Sequence, residues 1–217
     1  LKNKILKEKL KMKFKILLSS ILATSIIVSG CSSKTENTTT QSAATPQTSN
    51  NDKQSTIINE GGLHSEEKFK KETSVSKENN AFKVTITGIK LSTLSFDNTF
   101  NAQRLQSAKL EANTEYTSVL LRINIENKLT KNADINPNTS HLLIKDTKEQ
   151  VEQNQYIAGW KETTYLPGAE KEMTILFIAK KSKINDIKNI SLNIDSPYTQ
   201  GDYTRYESLT VDLNNIQ

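Results

Sequence analysis

The apolar residues of this chain recur at every second position. Phe82, Val84 and Ile86 alternate with Lys83, Thr85 and Thr87, and Val119, Leu121, Ile123 and Ile125 alternate with Leu120, Arg122, Asn124 and Glu126. Successive side chains of a strand point to opposite faces, so period two marks a strand with one buried face. The same alternation returns at 173–178, 190–194 and 209–213. Shorter runs at 73–76, 139–145 and 151–157 read as further strands. No helix-period segment separates them, which disfavours a doubly wound α/β sheet. The expected fold class is all-β, an antiparallel β-sandwich of about seven to nine strands over roughly 68–217. A domain of that size buries roughly two-thirds of its unfolded surface, so it needs no disulfide. The one cysteine, Cys31, could form none within the chain.

Local punctuation refines this. Gly88 sits where the apolar parity switches from Ile86 to Ile89, which predicts a bulge or bend. Leu166-Pro167-Gly168 is a turn, because Pro fixes φ and Gly accepts a positive φ at the next position. Residues 92–114 are irregular, with a helical turn expected within 104–112. Residues 57–72 read as a lead-in, with Ser65 placed to cap a short helix over 66–71.

The net charge of +5 is unevenly placed. Of the 29 Lys+Arg and 24 Asp+Glu, seven lysines and one glutamate fall in residues 1–30, so that stretch carries +6 and the remainder −1. The remainder interleaves both signs without a basic stripe, so no nucleic-acid partner is expected. After Lys11–Lys15, residues 16–28 are apolar or small. Thirteen residues span about 20 Å as a helix, short of the roughly 30 Å of a bilayer core. This pattern is a signal peptide over 1–30 rather than a standing membrane span. Met12 is a natural start for a signal of ordinary length.

Val28-Ser29-Gly30-Cys31 resembles the bacterial lipobox. That resemblance implies that Cys31 carries diacylglyceryl and becomes the first residue of the mature chain. Two acyl chains anchor firmly where one is marginal, at about 0.8 kcal/mol per buried methylene. The expected location is therefore the extracytoplasmic face of a bacterial cell membrane. From 32 to 56 there are twelve Ser/Thr and six Asn/Gln, with no aromatic or branched aliphatic residue. Such a segment cannot bury enough surface to offset its ordering entropy. It reads as a disordered tether, taken here as 31–67, with a typical reach of about 30–35 Å.

The stretch Val84-Thr85-Ile86-Thr87-Gly88, then Tyr116, Leu121–Asn127, Leu142, Ile144, Asp146, Leu166-Pro167-Gly168 and Met173–Phe177, resembles the telokin-like, immunoglobulin-like domain of many Gram-positive lipoproteins. The resemblance covers about 70–215. It implies an immunoglobulin-like β-sandwich outside the membrane and no reaction. The sequence departs from the family where Thr147-Lys148 follow Asp146 in place of glycine.

Catalytic chemistry is scarce. No nucleophile elbow, zinc-protease or phosphate-loop string occurs. The only histidines are His64 and His141, which disfavours Ser–His or Cys–His nucleophiles. Copper capture wants Met and His clusters, and after Cys31 there is only Met173. Asp195, Asp202, Glu207 and Asp212 offer oxygen ligands without calcium-loop spacing. No enzyme activity, cofactor or metal is expected. The candidate binding patch is Tyr198, Tyr203, Arg205 and Tyr206 around Gly201, with a second set at Tyr156, Trp160 and Tyr165. Tyrosine offers large contact area at low entropic cost. The expected function is non-enzymatic binding of an envelope glycan or protein partner. A small-ligand or calcium-binding lipoprotein is the alternative, and a cell-wall hydrolase fits the residue inventory least.

Overall fold

The computed structural model describes residues 56–217, Trp160 excepted. The strongest alternation, Val119 to Ile125, lies in strand β4 (Tyr116–Asn127), in the interior of a five-stranded sheet. Its neighbours are β3 (Phe82–Phe96) and β9 (Glu170–Ala179), with β2 (Leu63–Glu78) and β1 (Ile57–Glu60) beyond β3. The order is β1-β2-β3-β4-β9, antiparallel throughout. A second sheet of order β12-β10-β6-β7 is built from β6 (His141–Ile144), β7 (Glu149–Glu152), β10 (Ile190–Ile194) and β12 (Leu209–Leu213). A small third sheet joins β11 (Tyr198–Thr199), β5 (Ala133–Asp134) and β8 (Thr164–Tyr165).

The two large sheets share one core. Val84, Ile86, Leu121, Ile123 and Phe177 from the first meet Leu142, Ile144, Leu192 and Val211 from the second. All of these are almost wholly buried. The all-β sandwich expected from the alternation is the observed architecture. Gly88 lies at a bulge: the register steps from Ile86 opposite Ile123 to Gly88 opposite Arg122, leaving Thr87 over. That extra residue keeps Ile89 and Leu91 on the core face after Ile86.

The same parity sends Leu94 and Phe96 to the outer face of the sheet. There a second core forms from Leu94, Phe96, Leu105, Leu110, Tyr116 and Ile178. Its cover is helix α1 (Ala102–Ala108), which starts where the Asn101 side chain accepts from the Arg104 N–H at 2.9 Å. It ends at Lys109 in the left-handed region, φ 54. The helical turn expected at 104–112 is thus found slightly earlier.

Three expectations are corrected. Residues 57–67 are not tether, and Ser65 caps no helix, because 57–60 and 63–78 are strands of the large sheet. Their polar pattern hid this: only Phe69 and Val75 of β2 pack on the main core, and a long antiparallel register with β3 holds the strand. The strand expected at 151–157 is β7 at Glu149–Glu152, followed by helix α2 (Gln155–Ala158) capped by Asn154. The strands number twelve among the described residues. The excess over seven to nine comes from the β1 hairpin arm and from two-residue strands too short to show a period.

Candidate functional site

The chain between β10 and β12 folds into a tight loop over the small sheet. Tyr198 and Thr199 pair with Asp134 and Ala133. The loop then reverses, with Gly201 at φ 99 and Tyr203 at φ 53. The Thr199 N–H donates to Thr204 O at 3.0 Å, and the Tyr203 N–H donates to Thr199 O at 3.2 Å. Tyr198 also bridges Arg205. A non-glycine residue in the left-handed region is held there only by its surroundings.

Asp202 supplies that hold. Its carboxylate accepts from Lys131 Nζ at 2.7 Å, from the Thr199 hydroxyl, and from the Thr204 N–H at 3.2 Å. The Lys131 ammonium, then the Thr199 hydroxyl, keep its carboxyl well below the usual range. Asp202 in turn raises the pKa of Lys131.

The result is an aromatic platform. The rings of Tyr198 and Tyr203 stack with centroids 6.2 Å apart and planes 23° apart. Tyr203 is 74% exposed, the most exposed large apolar side chain described. Polar groups flank the pair. Asp134 accepts from Thr164 Oγ1 at 2.7 Å and from Gln200 Nε2 at 3.1 and 3.2 Å. The Asp134 charge pushes the Tyr198 phenol pKa up, with burial adding to it. A flat apolar surface beside a carboxylate, an amide and a hydroxyl is equipped to hold a ligand with an apolar face and polar edges.

The other candidates divide. Tyr206 is half-buried and packs on the main core, so it supports the loop. Arg205 stands exposed beside Tyr198. Tyr165 belongs to the same small sheet, but it is fully buried beneath the loop. Its hydroxyl has no partner, and burial, then the Glu162 charge, push its pKa strongly up. Lys171 Nζ sits 4.8 Å from its ring centroid. Tyr156 lies elsewhere, in α2, where its carbonyl accepts from Arg104 Nε at 2.8 Å beside the second core. Tyr156 and Tyr165 therefore do not join the exposed Tyr198–Tyr203 pair. Trp160, Val28, Ser29, Gly30 and Cys31 lie outside the described residues.

Lys131, Asp134, Thr164 and Gln200 complete the patch and were not singled out from the sequence, and Asp202 stood there only as an oxygen ligand. Lys131–Asp202 and Asp134–Gln200 are joined across 71 and 66 residues. No local pattern signals such a pairing.

Asp212 pairs with Lys145 at 2.8 Å and Asp202 with Lys131. Among the described residues no three His, Cys, Asp or Glu side chains gather as a metal set. His64 meets Asp97 Oδ2 through Nε2 at 2.9 Å and Asn59 Oδ1 through Nδ1 at 2.8 Å. Both ring nitrogens are thus engaged. His141 is a half-exposed strand residue.

No family model and no curated protein matches the chain. Among solved structures, a functionally unknown protein from Listeria monocytogenes EGD-e is similar, with 14% identity and a TM-score of 0.53 over 70% of this chain and 87% of that one. A candidate lipoprotein (ycdA) from Bacillus subtilis matches with 13% identity and a TM-score of 0.45. It covers 67% of this chain, which spans 40% of that protein's length. The likeness to the Listeria protein is one of fold.

Proposed function

We propose that this chain is a non-enzymatic bacterial lipoprotein. In this reading diacylglyceryl on Cys31 holds the β-sandwich on the extracytoplasmic face of the cell membrane. The domain binds an envelope component, glycan or protein, through the Tyr198–Tyr203 platform. The location is supported by the basic and apolar leader ending in Val28-Ser29-Gly30-Cys31. Among the described residues no helix is long and apolar enough to cross a membrane. A nucleophile activated by His64 is disfavoured, since both of its ring nitrogens already meet Asn59 and Asp97.

One observation carries the binding reading: Tyr203 is held exposed by a left-handed backbone and a clamped Asp202, and is stacked on Tyr198 beside Asp134 and Gln200. Backbone strain spent on exposing an aromatic ring is what a contact surface requires. The test is retention on purified cell-wall fragments and capture of membrane proteins by the mature chain. Tyr203→Ala and Tyr198→Ala should each cut retention at least tenfold with an unchanged melting temperature. Unaltered retention by both variants overturns the platform. Radiolabelled palmitate should enter the wild type but not Cys31→Ala, and labelling of that variant overturns the anchor.

A further inference from the structure

One edge of the large sheet is β1, and its outer side is unpaired among the described residues. Exposed edges invite pairing, and natural sheets blunt them with lysine, proline, bulges or a covering element. Ile57-Ile58-Asn59-Glu60 has no lysine or proline and its pairing with β2 runs without a bulge, which leaves its four-residue length and the Glu60 charge to protect it. It shows Ile57 61% exposed and Ile58 40% exposed.

The hairpin geometry states which groups point outward. Gly61 and Gly62, at φ 56 and 80, make a two-residue turn. Glu60 and Leu63 are then the hydrogen-bonded pair next to the turn, and the bonding alternates from there. The Glu67 N–H donates to Thr56 O at 3.0 Å, which agrees with that phase. Thr56, Ile58 and Glu60 therefore spend their backbone groups on β2. Ile57 and Asn59 present theirs to the outside.

We propose that β1 pairs with β1 of a second copy of this chain, antiparallel about a two-fold axis through Ile58. Antiparallel addition must set outward-facing residues against each other. The register Ile57 to Asn59 does so in both directions and forms four backbone hydrogen bonds. It places Ile58 directly against its symmetry mate as a non-hydrogen-bonded pair, the closest cross-strand contact, with Cα atoms about 4.5 Å apart. Glu60 then falls opposite Thr56, so no like charges meet. The edge is self-complementary in hydrogen bonding, apolar contact and charge. The two five-stranded sheets become one continuous sheet across the dimer. A four-residue edge is small, so the pairing is weak in free solution and gains from confinement on a membrane.

The experiment introduces single cysteines into the full chain and oxidises intact membranes mildly. Ile58→Cys should give a disulfide-linked dimer at least tenfold above wild type. Glu60→Cys is the register control: it is exposed on the same edge, yet lies four residues from its mate, about 13 Å along the strands. Thr210→Cys, exposed on β12, controls for random collision. Both should stay near the wild-type level. A dimer signal from Ile58→Cys no higher than from Glu60→Cys or Thr210→Cys overturns the proposal. So does an Ile58→Cys adduct with a different protein in place of the dimer. Adding Asn59→Pro, which removes an outward N–H, should abolish the Ile58→Cys dimer while the melting temperature reports that the sandwich persists.

Discussion

Asn127 closes the strongest strand and ties three segments together. Its Nδ2 lies 3.0–3.2 Å from Lys131 O, Tyr165 O and Leu166 O, so its two N–H groups are shared among three carbonyls, and its Oδ1 accepts from the Leu129 N–H at 3.0 Å. The side chain is fully buried. Asn127→Leu should lower stability by about 3 kcal/mol in urea unfolding, because buried carbonyls lose their donor. Tyr165 is the opposite case. Its buried hydroxyl has no partner, so Tyr165→Phe should be neutral or stabilising by up to about 1 kcal/mol. Asp97 sets a pH dependence. Hydrogen bonds from Thr99 and His64 lower its pKa from 3.8 to about 2. A depressed carboxyl stabilises the fold above its unfolded pKa and loses that contribution as pH falls through the folded value. The urea midpoint of wild type should exceed that of Asp97→Asn above pH 4, and the difference should vanish towards pH 2. A difference that persists at pH 2 would assign the effect to shape rather than charge.

At the scale of elements, the β1–β2 hairpin depends on two glycines that differ in kind. Both have positive φ, but a Cβ on Gly61 meets nothing, whereas on Gly62 it would lie 2.5 Å from Phe100 N and 2.7 Å from Asp97 Oδ1 and Thr99 Oγ1. Gly61→Ala should therefore cost about 1 kcal/mol from backbone strain alone. Gly62→Ala should cost at least twice that and loosen the Asp97–Phe100 turn, as read by thermal melting and amide exchange. The legibility of the elements follows from the same physics. β3, β4, β9, β10 and β12 were readable because one face of each is buried, which writes a period of two into the sequence. The turn at Leu166-Pro167-Gly168 was readable too, with Gly168 at φ 67 and the Ala169 N–H donating to Leu166 O at 3.0 Å. Most of β2 was not, because charged pairs such as Lys68–Glu66 and Arg122–Glu72 line it where apolar residues would otherwise show, and β1 was not, because its four residues are all exposed and have no buried face to write a period. The turn after Asp146 forms without glycine: Lys148 itself takes φ 56, and the Asp146 carboxylate accepts the N–H groups of Lys188 and Asn189. Of the candidate platform, the tyrosines were legible as a cluster. The residues that aim them were not, since Lys131 and Asp134 reach them from a distant loop and strand.

The whole molecule has two cores of unequal weight, and they should come apart separately. The main core is shared by both large sheets and closed by the small one. The second rests on the outer face of the same strands, near the start of β4, under a single seven-residue helix. Leu105 and Leu110 pack inward, the Glu111 N–H donates to the Tyr116 hydroxyl at 2.8 Å, Arg104 donates to the carbonyls of Tyr156 and Ile157, Lys180 Nζ donates to Lys109 O at 2.6 Å, and the Asn113 N–H donates to Phe96 O at 2.6 Å. A helix this short has no stability of its own. Elements held by few buried contacts open locally, below the global unfolding free energy. Leu105→Ala removes one of the two main anchors, at a cost of about 2–3 kcal/mol for a leucine of this burial. That cost should fall on the local opening, with amide exchange over 102–112 rising at least tenfold, since each 1.4 kcal/mol is a factor of ten. The amides of Val119 to Ile125, buried between β3 and β9, should keep their wild-type exchange rates. Equal acceleration in both regions would mean that the sandwich and its outer cap unfold as one unit.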